Sequence, residues 1–187
     1  MTRRLGLLLL IVLCALSGYY LLAQHRWQKV QQVTPDAEKP LFTGEDIETV
    51  QYTADGVRSY TVEAKHLEHY AKIDETHFNE PVLWTYQGGQ DEEWRVSANY
   101  AVLSDEHLLT MTGNVRIFNL LPNAQIDSVT TDSVTLNLTT RDFWSDSPTT
   151  ITGTRFQTTG KRVKGNFGSH QMELLDDVKG RYETTPR

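Results

Sequence analysis

The first stretch of the chain shows no alternation of apolar and polar positions. Leu5 to Ala23 is 19 residues without a formal charge. As a helix rising 1.5 Å per residue it would be roughly 28 Å long, close to the hydrocarbon thickness of a bilayer. A membrane-spanning helix over 5–23 is therefore predicted. Arg3 and Arg4 precede it, which keeps residues 1–4 in the cytoplasm and sends the rest of the chain to the other side. Ala15-Leu16-Ser17 before Gly18 has the small-x-small form of a signal cleavage site. The apolar run nevertheless continues through Tyr19, Tyr20, Leu21 and Leu22 and reaches Trp27 at interfacial depth, so a retained anchor is the expectation. Residues 24–40, polar and carrying Pro35 and Pro40, read as a tether, and the folded domain is expected over 41–187.

Beyond the tether the period changes to two. Tyr60, Val62 and Ala64 alternate with Thr61, Glu63 and Lys65, and the same pattern recurs at Trp94, Val96 and Ala98, at Leu109, Met111 and Gly113, and at Val134, Leu136 and Leu138. Such alternation marks half-buried strands, so the domain is predicted to be all-β. A self-comparison adds a repeat. Val62-Glu63-Ala64, Val96-Ser97-Ala98, Val129-Thr130-Thr131 and Val163-Lys164-Gly165 start 34, 33 and 34 residues apart. Units of this kind bury their apolar side by stacking on neighbours, which leaves a first and a last edge.

Two consequences follow for sites. Phe78, Val82, Trp84 and Tyr86 alternate with Asn79, Leu83, Thr85 and Gln87, so this large apolar set is expected to line the inside of the sheet, either as packed core or as a groove between splayed faces. Met172, Leu174, Val178 and Tyr182 keep the spacing of a last strand pair. They are the candidates for a C-terminal edge onto which another chain adds a strand, unless they cap the protein's own core.

Charge narrows the partners. The formal net charge is −6, from 18 Lys and Arg against 24 Asp and Glu, which argues against a nucleic-acid phosphate backbone. The single cysteine, Cys14, excludes an intrachain disulfide or a multi-cysteine zinc site. His66 and His69 are three apart with His77 nearby, but residues three apart on a strand point to opposite faces, so no metal site is expected. Asp74-Glu75, Asp91-Glu92-Glu93 and Asp176-Asp177 read as solvated turn charges. No nucleophile elbow, zincin helix or phosphate loop is present, and Asn137-Leu138-Thr139, read as lying inside a strand, is set aside as a glycosylation signal. No enzymatic activity and no cofactor are expected.

Taken in order, Asp55-Gly56, Phe78-Asn79-Glu80-Pro81-Val82, Trp94-Arg95-Val96-Ser97-Ala98, Leu109-Thr110-Met111-Thr112-Gly113-Asn114-Val115, Thr130-Thr131-Asp132, Ile151-Thr152-Gly153-Thr154 and Gly165-Asn166-Phe167 resemble the LptC family of lipopolysaccharide export. The resemblance covers nearly the whole chain. It implies an open β-jellyroll of two facing antiparallel sheets, OstA-like, behind one N-terminal transmembrane helix, in the inner membrane with the domain in the periplasm. It implies lipopolysaccharide as cargo, an inner-membrane ABC transporter (LptB, LptF and LptG) as donor, and the periplasmic bridge protein LptA as recipient. An exposed groove with open edges also allows a homodimer in isolation. By motif position Phe78 is implied as a groove residue and Gly153 as a position for assembly with the transporter. The alternative is a membrane-anchored scaffold with a dry core.

Overall fold

The computed structural model describes residues 39–104 and 106–183. The predicted anchor 5–23 and all but the end of the tether lie outside them. Among the described residues, no helix is long and apolar enough to cross a membrane.

Fourteen strands follow one another: β1 (Phe42–Tyr52), β2 (Arg58–Tyr70), β3 (Glu75–Asn79), β4 (Val82–Gln87), β5 (Asp91–Ser97), β6 (Tyr100–Leu103), β7 (Leu108–Asn119), β8 (Ile126–Asn137), β9 (Asp142–Ser145), β10 (Thr149–Gly153), β11 (Phe156–Gly160), β12 (Arg162–Asn166), β13 (Gln171–Leu175) and β14 (Lys179–Tyr182). Every pairing is antiparallel. The long strands β1, β2, β7 and β8 run through both of two layers. The first layer reads β1-β2-β4-β5-β7-β8-β10-β11-β14. The second reads β1-β2-β3-β6-β7-β8-β9-β12-β13. Among the described residues β1 pairs only with β2, β13 only with β12 and β14 only with β11. The jellyroll is thus open at both ends.

The core explains the repeat. Directly opposed residues run Val62, Leu83, Val96, Ile117, Val129, Ile151 across the first layer, and all are buried. Val62, Val96 and Val129 are the first three repeat valines, and Val163 is buried in the second layer. Branched side chains standing opposite one another on neighbouring strands are the unit from which a sheet face is stabilised. The second layer answers with Phe78, Ala101, Met111 and Val134, likewise opposed in register, and both rows belong to one apolar cluster.

One expectation is corrected. Phe78 points into the core, but Val82 and Trp84 do not continue its face. Leu83, 1 % exposed, takes the inward position, and Thr85 follows it. Trp84 stands opposite Thr61 and Arg95 on the far face. Tyr86 is buried on that same far side, its hydroxyl donating to Thr61 Oγ1 at 3.2 Å and its ring covered by Arg58 at 4.7 Å. The cause is a corner between the layers. β3 and β4 are one strand interrupted at Glu80 and Pro81, and Glu80 has φ +48°, a left-handed conformation that breaks the alternation. The same inversion separates Val96 from Ala101 and Thr131 from Val134. On β7, Gly113 and Asn114 both have positive φ (78° and 51°) and insert an extra residue between Thr112 and Val115, which restores the phase, so Met111 and Val115 both point inward. A pair of substitutions reads this directly: Leu83→Ala is expected to cost about 2–5 kcal/mol of unfolding free energy, and Val82→Ala less than about 1 kcal/mol, measured from urea midpoints.

Candidate functional site

Between the layers, on the side of the last strands, the core gives way to open space. An outer cavity of about 820 Å³ is bordered by Ile126 of the first layer and by Phe143, Gly165 and Met172 of the second, with Asn166 and His170 at its rim. A second, smaller cavity of about 310 Å³ opens beside the β7–β8 connection and is lined by Trp94, Leu121, Pro122, Ala124, Ile126 and His170, with Asn119 and Gln125 as its polar members. The two share Ile126 and His170 and together form a slot. Its apolar end is set by packed aromatics: Phe143 stacks on Phe167 at 4.5 Å, and Phe167 lies tilted 5.4 Å from Trp94, ring centre to ring centre.

A buried charge lies next to the slot and shares His170 with it. Glu93, 2 % exposed, receives Arg141 Nη2 at 3.2 Å on one oxygen and His170 Nε2 at 2.7 Å on the other. The same Arg141 nitrogen donates to the Tyr86 carbonyl at 3.3 Å. Arg141 sits in the turn after β8 and His170 in the turn before β13, so the first-layer carboxylate ties down two second-layer turns. Such a pair holds only because each buried oxygen finds a partner. Sequence reasoning missed it. Asp91-Glu92-Glu93 is not a solvated turn but the start of β5, and alternation back from Trp94 would turn Glu93 outward. The register shifts between Thr85/Trp94 and Tyr86/Glu92, which makes Glu93 the extra residue of a bulge and swings it inward beside Trp94.

The other predicted residues separate by location. Met172 and Leu174 lie on β13, half-buried against the core. Tyr182 is 72 % exposed on β14, and Val178, 51 % exposed, lies in the connection between these strands rather than on either. Gly153 ends β10 at a register shift against β8. A Cβ built there would press on the Gln125 carbonyl and the Phe156 ring, so only glycine lets these chains approach so closely. Asn137 ends β8, and its side chain caps the next turn, accepting from the Thr139 and Thr140 amides at 2.9 Å each. It therefore closes a strand instead of lying within one.

The histidines form an outward network. His66 Nδ1 donates to Glu45 at 2.8 Å and its Nε2 approaches Glu68 at 3.3 Å, tying β1 to β2. His77 donates to Glu75 at 2.9 Å and accepts from the Tyr100 hydroxyl at 2.6 Å. The Glu45 hydrogen bond, seconded by Glu68, raises the His66 pKa above its ordinary value. A raised folded-state value means that the contribution is complete at low pH and is lost as pH rises through the folded midpoint. Histidine-resolved NMR titration should place the His66 midpoint above the usual imidazole value of about 6.5, and Glu45→Gln should bring it back toward that value. Among the described residues no cluster of metal-ligating side chains is found.

Residues 7–183 match the family model described as lipopolysaccharide-assembly, LptC-related. The chain belongs to the LptC family. It is 33 % identical over 152 residues to the lipopolysaccharide export system protein LptC of Escherichia coli K12, covering 81 % of this chain and 80 % of that one. It is 28 % identical to the protein of the same description from Haemophilus influenzae, covering 94 % and 91 % respectively. In fold it resembles the crystal structure of LptH from Pseudomonas aeruginosa, an LptA-homologous periplasmic component of lipopolysaccharide transport, with a TM-score of 0.50 at 8 % identity over 80 % of this chain and 99 % of that one. That likeness carries the open jellyroll architecture from the LptA-like proteins to this member of the LptC family.

Proposed function

We propose that this chain is the single-pass inner-membrane carrier of lipopolysaccharide export, with residues 1–4 in the cytoplasm, 5–23 in the bilayer, 24–40 as tether and 41–187 as the periplasmic jellyroll. Membership of the LptC family gives the role in lipopolysaccharide transport. In this reading LptB, LptF and LptG deliver the lipid, its acyl chains travel between the two layers past Phe78, and the C-terminal edge passes them to LptA. Gly153 keeps the first-layer edge close enough for assembly with the transporter.

The observation that carries the reading is the slot between Ile126 and Met172, apolar inside, polar at its rim, and opening beside the unpaired edge of β13. Each acyl methylene shielded there is favoured by about 0.8 kcal/mol over water, while sugars and phosphates stay at the rim. The chain acts as a conduit, and its buried carboxylate, Glu93, is spent on an ion-pair clasp and not on chemistry.

A dry scaffold is the rival, and the packing around Phe78, 5 % exposed, favours it on that side of the domain. Photo-crosslinking residues placed at Phe78, Ile126 and Met172, with Glu92 as outward control, separate the two in cells. Transport predicts lipopolysaccharide adducts at the inward sites that require ATP hydrolysis by the transporter. A bridging protein without adducts at any inward site is a scaffold.

A further inference from the structure

The outer face of the first layer carries a surface that the slot does not use. On either side of the buried row Leu83, Val96, Ile117, Val129 and Ile151, two rows of outward residues cross the sheet in register from β4 to β14. One row opens with Trp84, Arg95 and Phe118 and ends on Arg181. The other places Ser97 beside Arg116 and ends on Lys179. Between these cationic ends, β8, β10 and β11 supply Ser128, Thr130, Thr150, Thr152 and Thr159. Every member of both rows is exposed or half-buried, and neither row contains an aspartate or glutamate. Acids return on β2, where Glu63 stands opposite Val82.

That composition runs against the rest of the molecule, whose formal net charge is −6. The corresponding row of the second layer runs from Glu68 and His77 to Trp144, Lys164 and Glu173 and neutralises itself, Lys164 meeting Glu173 at 2.9 Å. Among the described residues, Arg95, Arg116, Lys179 and Arg181 hold no carboxylate at ion-pair distance, whereas Lys65, Lys161 and Arg162 each do. Arg95 lies instead over the Phe118 ring at 5.0 Å, and Arg116 Nε donates to Asn114 at 3.3 Å. Cations gathered on one face without counter-charges repel one another, and an anionic partner relieves that repulsion.

We propose that this face binds an anionic polysaccharide, the cell-wall glycan that a periplasmic domain meets. The occupant follows from the shape and chemistry of the strip. With about 4.8 Å between neighbouring strands it is roughly 29 Å long and two residues wide, the proportions of one extended polymer chain and not of a bilayer. Trp84 offers an aromatic face to sugar C–H groups. The serine and threonine hydroxyls both donate to and accept from sugar hydroxyls, and the arginines and Lys179 take carboxylates through charge-assisted hydrogen bonds. Cargo in the slot does not cover the strip, because the slot lies between the layers and the strip on the far side of the first. The site holds the jellyroll beside the wall, and of the transport reading it needs only the periplasmic placement.

The test sediments the full chain, in dodecyl maltoside, with purified cell-wall sacculi, which withstand the detergent. The expected result is retention in the pellet that falls as salt rises. Arg95→Glu with Arg116→Glu should weaken retention on the order of tenfold or more. Trp84→Ala should weaken it at every salt concentration, and Lys164→Gln, on the outer face of the second layer, should leave it as in the parent. Lys179→Gln with Arg181→Gln, at the other end of the strip, gives an independent reading if the arginine pair misfolds. A parent chain that stays in the supernatant, or retention that both cation pairs leave intact, overturns the proposal. So does a chain that escapes the sacculi yet crosslinks from Ser128 to phosphatidylglycerol or lipopolysaccharide added to the micelles, which makes the face a lipid-headgroup surface. Capture of lipopolysaccharide at Met172, Ile126 or Phe78 tests the transport reading separately and moves with neither cation pair.

Discussion

Replacing Arg141 with alanine is expected to destabilise the jellyroll by about 3–5 kcal/mol, the usual loss when one partner of a buried ion pair is removed and the other stays behind. The argument is one of desolvation. Glu93, 2 % exposed, cannot recover its hydration when Arg141 goes, and the Thr85 hydroxyl at 3.5 Å is a poor substitute. His170 still reaches the other oxygen at 2.7 Å, so the single substitution belongs at the lower end of the range and Arg141→Ala with His170→Ala at the upper end. Adding Glu93→Leu to the Arg141→Ala background removes the stranded charge and should regain much of the loss, because an apolar side chain of similar size costs less there than an unpaired carboxylate. Urea unfolding followed by tryptophan fluorescence measures all four proteins. If Arg141→Ala costs no more than an exposed ion pair, under about 1 kcal/mol, Glu93 does not clasp the layers.

This clasp lay beyond the reach of sequence reading, and the reason is specific. Strand alternation is a local rule, and it located Val62 and Val96, with Val129 and Val163 added by the repeat, because each pairs with its neighbours in unshifted register. It failed at Glu93 and across Glu80, where one residue is inserted or takes a left-handed conformation. Glu80, φ +48°, carries none of the glycine or asparagine signal that usually announces such a position, and only Pro81 hints at the break. The same flaw assigned Val82 and Trp84 to the wrong face and passed over Leu83. Gly153 has a local structural reason, since its lack of a Cβ answers a close approach by Gln125 and Phe156, while the assembly role given to it rests on the resemblance and not on strand pattern. The slot required three-dimensional knowledge, since Trp94, Ile126 and the His170–Met172 stretch come from three separate segments brought together only by the folding-over of the two layers.

The two ends of the jellyroll differ in charge, and this bears on direction. β1 contains Glu45, Asp46 and Glu48 and no lysine or arginine; β14 contains Lys179 and Arg181 and no acid. On the neighbouring β13 side, Glu173, Asp176 and Asp177 are matched by Lys164, Arg162 and Lys161 at 2.9, 2.6 and 2.6 Å. The C-terminal edge therefore offers cations on one layer and a neutralised surface on the other. Like edges repel and unlike edges attract, which favours head-to-tail pairing over head-to-head pairing.

Proline substitutions in β14 should weaken edge pairing, and only one of two neighbouring positions should also destabilise the domain. Consecutive residues of an edge strand direct their amides alternately toward the neighbouring strand and away from it. Of Gly180→Pro and Arg181→Pro, one therefore removes a donor that serves β11 and the other a donor that faces outward. If LptA takes the C-terminal edge as proposed, the outward substitution is expected to weaken that binding on the order of tenfold or more, because a strand cannot add across a missing N–H and a proline ring. Its effect on stability should be small, since all four β14 residues are exposed. The inward substitution should lower both, through loss of the β11 pairing. Pull-down of LptA from detergent extracts, with thermal melts of the same proteins, reads the two effects separately. Lys179→Glu with Arg181→Glu should weaken binding mainly at low salt, where exposed charges are least screened. If both proline variants bind LptA as the parent does, the partner docks on a surface other than β14, and the route from the slot to the next jellyroll must leave through β13 alone.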